Sequence, residues 1–335
     1  MVRRSNNTPM QSRLSVAPMM DWTDRHCRYF HRLLAPSALL YTEMVTAAAL
    51  THGDVQRLLE FNETEHPVVL QIGGNDPVMM ADAARMGFEA GYDAVNINVG
   101  CPSDRVQSGA FGACLMLQPN TVAACYRAMA DAVPIPVTVK SRIGVDDHDS
   151  ETFLETFVQT LADAGCTRFD IHARIAILKG LSPKENRTIP PLNYPRVYAL
   201  KKRHPALSIH INGGITSATD MQEHLRHVDG AMIGREAYQN PYALTRFEAV
   251  LGGGHLAPAR EHVVAQMQHY TDAQLASGRV QLKHIVRHML GLFNGLPGAR
   301  QWRRTLSEQS HREDADSGLL QRALLAREEA ARSVA

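Results

Sequence analysis

Cys101 stands between Gly100 and Pro102 in a polar stretch, while Gln71, Lys140 and His172 each close a short apolar run. A loop thiol can donate a proton, its ordinary pKa being about 8.5. A lysine and a histidine suit an anionic ring, and a carboxamide can hydrogen-bond a pyrimidine-like edge. Two glycine-bearing stretches, Asn212-Gly213-Gly214 and Gly234-Arg235, close two further apolar runs. Glycines let backbone N–H groups close on a phosphate. These donors together suit flavin mononucleotide (FMN): phosphate on the glycines, the pyrimidine edge on Gln71, and Lys140 beside the negative charge that a reduced flavin carries at N1. Neither G-x-G-x-x-G nor G-x-x-x-x-G-K-[ST] occurs, which argues against a Rossmann or P-loop nucleotide site.

Eight apolar runs must carry these groups: 14–19, 39–44, 67–73, 93–98, 136–142, 168–173, 207–213 and 230–235. The intervals leave room for a crossover helix each time. Two are clear: 76–91, with Pro77 near its start and Gly91 at its end, and 150–165, between a Ser150 cap and Gly165. Strands alternating with helices imply a parallel sheet, and eight such units imply an α/β fold, a (β/α)8 TIM barrel. Active sites in this fold lie at the C-terminal strand ends. There stand Pro18-Met19-Met20-Asp21, Glu43, Gln71, Asn98 to Pro102, Lys140, His172, Asn212 to Gly214, and Gly234-Arg235. Glu43 or Gln71 alone could be a loop cap; the whole set asks for a ligand. Cys27, Cys114, Cys125 and Cys166 sit in helical or packing patterns and are read as inert.

The alternation stops near residue 252, at Gly252 to Gly254 and Pro258. Three helical patterns follow, at 261–278, 280–293 and 318–333, so the expected division is a tail over 1–13, a barrel over 14–252 and a helical domain over 253–335. The 335-residue chain carries a formal charge of +1, which argues against a polybasic protein. Yet residues 255–304 hold seven basic side chains against two acidic ones, a local balance of +5. On charge alone a solvated helix face explains that segment as well as a docking surface does. No apolar run is long enough to span a membrane, and no secretory h-region is present. Five cysteines, an odd number without a CxxC pair, fit free thiols in a reducing cytoplasm, and no Cys/His cluster has zinc-ligand spacing. A monomer without a metal is expected.

Several long segments carry a resemblance: 15–30 (SVAPMMDWTDRHCRYF), 98–116 (NVGCPSDRVQSGAFGACLM), 172–198, 211–215 (INGGI), 234–241 (GREAYQNP) and 288–304 (HMLGLFNGLPGARQWRR). Across about residues 14–330 the chain resembles the tRNA-dihydrouridine synthases, and SPKENR and GLPGARQWRR look like their DusA subfamily. The resemblance implies an FMN enzyme that reduces the C5–C6 double bond of D-loop uridines, U20 and U20a for this subfamily, with NADPH as electron source. It implies hydride delivery from flavin N5 to C6 and a proton from Cys101 to C5. Carried over, FMN contacts fall on Ala17, Pro18, Met19, Gln71, Lys140, His172, Asn212, Gly213, Gly214, Gly234 and Arg235. Contacts to tRNA fall on Asn98, Lys184, Arg187, Arg300 and Arg303. Ile175 and Ala110 depart from the pattern, standing where relatives commonly carry a basic and a larger residue. A different FMN barrel, of the dihydroorotate or enoate reductase type, would explain the strands but leave the basic helical segment without use. A tRNA-binding protein without catalysis would leave Cys101 and Lys140 without use.

Overall fold

The computed structural model describes residues 11–103, 109–252 and 254–333. Most of the expected 1–13 tail and positions 104–108 of the cysteine loop lie outside them. All eight expected strands form: β1 (Leu14–Val16), β2 (Leu39–Thr46), β3 (Val68–Gly73), β4 (Ala94–Val99), β5 (Val137–Arg142), β6 (Arg168–His172), β7 (Ser208–Asn212) and β8 (Gly230–Ile233). They pair in chain order, all parallel, and β8 returns to β1, so the sheet closes into a TIM barrel without an edge.

The helices start where the sequence offers caps. Asp76 accepts the Met79 N–H at 2.8 Å, and Pro77 occupies the first position of the helix Pro77–Glu89. Ser150 accepts the Phe153 N–H at 3.0 Å to open Glu151–Asp163. Such caps are each worth about 1 kcal/mol. Side chains alternate across each strand, so every second residue faces the barrel interior. Ala17, Leu39, Tyr41, Val69, Ala94 and Met232 pack together as an apolar plug, all within 5% of full burial.

The chain forms two compact units. One comprises residues up to Asp21 with Ser37–Gly234, and the other Trp22–Pro36 with residues from Arg235 onward. The units thus meet in sequence at Gly234–Arg235, whereas the glycine run suggests residue 252. The reason lies in the side chains. The helix Arg25–Leu34 finds its partners among the late helices: Tyr29 stacks on Tyr270 with ring centroids 3.9 Å apart, and His26 Nδ1 lies 2.7 Å from the Tyr270 hydroxyl. Tyr242 donates to the Pro258 carbonyl at 2.8 Å, tying the segment before the glycine run to the helices after it.

In the second unit the helices Arg260–Ala276 and Leu319–Arg332 match two of the expected patterns. The third, 280–293, is helical only over Leu282–Val286. Beyond Val286 the chain runs in three-residue turns, Met289 N–H donating to the Val286 carbonyl and Leu292 N–H to the Met289 carbonyl, both at 3.0 Å; Trp302 Nε1 donates to that same Met289 carbonyl at 3.0 Å, and Gly291 disfavours a regular helix. A helix at Ala299–Gln309 carries Arg300 and Arg303. Among the described residues no helix is long and apolar enough to cross a membrane.

Candidate active site

The strand-end groups of the first unit form two hydrogen-bonded sets, one around Asn98 and one around Asn212. Register places Gln71 of β3 beside Asn96 of β4, and Asn98 of β4 beside Lys140 of β5. Gln71 Nε2 donates to Asn96 Oδ1 at 2.7 Å, and Asn98 Nδ2 donates to Gln71 Oε1 at 2.8 Å. Asn96 Nδ2 passes the chain on to Thr138 Oγ1 at 2.8 Å. Asn98 Oδ1 then accepts the N–H groups of Gly100 and Cys101 at 3.1 and 3.0 Å. One carboxamide therefore fixes both Gln71 and the backbone beneath the Cys101 thiol. That thiol is half-buried and donates to Ser103 Oγ at 3.5 Å.

Lys140 Nζ donates to Asn212 Oδ1 at 3.2 Å, while Asn212 Nδ2 donates to the Met232 carbonyl at 2.8 Å. The amine meets no other hydrogen-bond acceptor among the described residues. Burial pushes its pKa down to about 8; Asp170 and Cys101 pull it up, and Arg142 pushes it further down. Two donors of the ammonium remain for a ligand, and a half-buried cation of this kind favours an anionic acceptor.

At the end of β6 the His172 ring stands against Gly213. A side chain at that glycine would come within 2.7 Å of His172 Cδ2, and its φ of +117° already disfavours anything but glycine. Gly214 follows with φ +69°, in the same way closed to a side chain by Leu192. Tyr194 holds the turn through its hydroxyl, which donates to the Gly213 carbonyl at 2.8 Å. Gly234 follows β8 with only Asn212 Nδ2, at 3.9 Å, near the place a Cβ would occupy. On the other side of the closure Ala17, buried after β1, donates its N–H to the Ile233 carbonyl at 2.8 Å, and Pro18 and Met19 follow half-buried. Glu43 takes the loop-capping role: its Oε1 accepts the Asp21 N–H at 2.5 Å.

Arg142 was not singled out by its position, yet it joins two loops. Its Nε donates to the Gly100 carbonyl at 2.9 Å, and its Nη1 donates to the carbonyls of Ile175 and Asn186 at 2.8 and 3.0 Å. The cysteine loop and the loop bearing Lys184 and Arg187 are thereby held to one guanidinium. Asn186 is itself buried between exposed Lys184 and Arg187, and donates to the carbonyls of Ile177, Leu181 and Ser182. The departure at Ile175 leaves this arrangement intact, because the backbone carbonyl makes the contact. Ala110 has φ +53° and accepts from Asn75 Nδ2 at 3.1 Å, again through its backbone. Period-two alternation could have flagged Asn96 and Arg142, two positions from Asn98 and Lys140. Asn186 lies within the SPKENR segment of the resemblance, but its contacts with Arg142 and Ile177 are not visible in the linear pattern.

Arg235 opens the helix Arg235–Gln239 in the second unit, and Arg300 and Arg303 lie exposed on Ala299–Gln309. Arg303 Nη1 donates to Asn294 Oδ1 at 2.7 Å, whereas Arg300 has no partner among the described residues. The basic excess of residues 255–304 is partly internal. Arg260 lies over the Tyr242 ring at 3.4 Å, and Arg287 pairs with Asp24 at 2.8 Å.

The model of the dihydrouridine synthase (Dus) family matches residues 15–330. A protein of Vibrio vulnificus named tRNA-dihydrouridine(20/20a) synthase is 56% identical over 314 residues, 93% of this chain and 96% of that protein. A Shewanella oneidensis protein of the same name is 58% identical over 302 residues, 90% of each. One from Salmonella typhi, also so named, is 56% identical over 93% of this chain and 94% of its own length. With an eight-stranded barrel whose strand ends converge as described, and a match over nearly its whole length, this chain belongs to the dihydrouridine synthase family.

Proposed function

We propose that this protein reduces the C5–C6 double bond of uridines 20 and 20a in tRNA, using FMN and NADPH. The observation that carries the reading is the array through Asn98, which ties the Cys101 loop to Gln71, with Lys140 in register beside it on β5. The substrate is taken from the name that the relatives share.

The donor set fits FMN. Lys140 has two spare donors on a half-buried ammonium, Gln71 presents a carboxamide held from both sides, and the left-handed turn at Gly213-Gly214 keeps its backbone free of side chains. Ala17, Pro18, Met19, His172, Asn212, Gly234 and Arg235 complete the proposed contacts. When bound, FMN supplies the hydride that goes to C6 of uracil, its electrons coming from NADPH. The protein supplies the rest. Cys101 Sγ carries the proton for C5, so hydride and proton together saturate one double bond. Lys140 stabilises negative charge on the reduced ring, an effect strengthened by its burial. Asn98 has one N–H left after binding Gln71, and offers it to the uracil edge. A uridine stacked within folded RNA must unstack to reach these groups.

Lys184, Arg187, Arg300 and Arg303 are assigned to the tRNA backbone, where exposed cations act by releasing counterions. The test is a purified chain with a flavin spectrum, supplied with NADPH and unmodified tRNA. Dihydrouridine at positions 20 and 20a supports the reading. Reduction of a small enone at comparable rate, without action on tRNA, would favour the enoate reductase type instead.

A further inference from the structure

The barrel interior holds a carboxylate that packing does not require. Asp170 is fully buried in β6, where barrel interiors ordinarily carry branched apolar side chains, and a buried charge costs several kcal/mol unless it is compensated. Its Oδ2 accepts from the Tyr41 hydroxyl of β2 at 2.8 Å. Arg168, two residues back on the same face of β6, brings Nη2 to 3.6 Å from Oδ1, yet Oδ1 accepts no hydrogen bond among the described residues. Arg168 Nη2 also lies 3.3 Å from His210 Nδ1 on β7, the register partner of Asp170 on that side. Burial and Arg168 hold His210 well below its ordinary pKa, so it is neutral. On the other side, the register partner of Asp170 is Lys140.

We propose that Asp170 is a positioning residue: a buried counter-charge, one strand over from Lys140, that keeps the lysine cationic and directed at the strand-end site. The groups acting on Lys140 are few. Arg142 on its own strand opposes its charge; Cys101 and Asp170 favour it, and neutral Asn212 accepts from it. The groups acting on Asp170 are Arg168, the Tyr41 hydroxyl, Cys166 and Lys140 itself. Arg168 compensates Asp170 only in part, since its geometry leaves Oδ1 without a donor. The residual negative charge is what Lys140 senses. The consequence for the flavin rests on the proposed function; the coupling of the two side chains does not.

The test is competitive acylation of Lys140 in the full-length chain across a pH series, read by peptide mass spectrometry, which gives the midpoint of its titration without reference to turnover. Asp170→Asn should move that midpoint down by about one pH unit, a tenfold change in the protonation equilibrium. Arg168→Gln, which unmasks Asp170, should move it up. Opposite displacements are the signature, because a general loosening of the barrel moves both variants the same way. An unchanged midpoint in both, or displacement in one direction, overturns the proposal. If Asp170→Asn does not fold, the direction of Arg168→Gln decides alone. A purified chain that binds no flavin overturns the cofactor assignment, and the labelling result still decides the coupling.

Discussion

Lys140, Arg142 and Arg168 of the barrel and Arg300 and Arg303 of the second unit are used in opposite ways. In the barrel, Lys140, Arg142 and Arg168 are drawn inward, each with assigned partners, and two of them feel the cost. Burial pushes Lys140 to about 8 and Arg142 to about 10. In the second unit, Arg300 and Arg303 stand on an exposed helix face three positions apart. A buried cation fixes geometry and charge beside a reacting group. An exposed one contributes little to stability but attracts a polyanion at long range, and that attraction is weakened by salt. Net charge cannot distinguish these uses, which is why a value of +1 says so little about this chain.

The largest effect is expected at Cys101. Cys101→Ala should lower dihydrouridine formation by about 10²–10⁴-fold, while the bound flavin spectrum remains. Near-normal turnover on tRNA would remove the thiol from the mechanism. Next in size is Arg142→Met, which cuts three hydrogen bonds from a charged group to the carbonyls of two loops. A loss of about 10²-fold in kcat/KM for tRNA is expected, with flavin retained. An unaffected rate would show that the loops hold themselves.

On the exposed side, Arg303→Glu should weaken tRNA binding by about tenfold and reduce the salt dependence by about one counterion, leaving tRNA-independent NADPH oxidation unchanged. Equal loss of both activities would contradict a docking role. The smallest effect concerns the second unit's own stability. Burial pushes His26 and His31 down from 6.5 to about 3, so both are neutral when folded and both protonate when unfolded in acid. Their contribution is complete above about pH 6.5 and is lost progressively as the pH falls toward 3. Thermal unfolding should drop by a few degrees per pH unit in that window. His31→Gln should flatten the slope; an unaltered slope would place the acid sensitivity elsewhere.

Much of the barrel was legible in the chain because alternating strands and helices leave a periodic record, and residues such as Pro77 and Ser150 mark where helices begin. The strand-end residues were legible for the same reason: once strands are placed, their ends are known. Asp170 was not, because a polar residue inside an apolar run reads as a strand residue until its neighbours across the barrel are known, and Arg142, which alternation could have flagged, gave no sign of the two loops it joins. The grouping of Arg25–Leu34 with the late helices was hidden for a related reason. Tyr29 and His26 meet Tyr270 more than 240 positions away, and no local pattern encodes that. The pattern at 280–293 was overread because apolar spacing does not distinguish a helix from the successive three-residue turns that follow Val286.

The central claim is that the strand-end array acts on a nucleic acid that exposed cations deliver. The most direct measurement is position-resolved mapping of dihydrouridine in tRNA incubated with the purified full-length chain, FMN and NADPH. Dihydrouridine is expected at positions 20 and 20a, and about 10²–10⁴-fold less of it with Cys101→Ala. Flavin that is bound and reduced by NADPH while every uridine of the tRNA stays unmodified would contradict it.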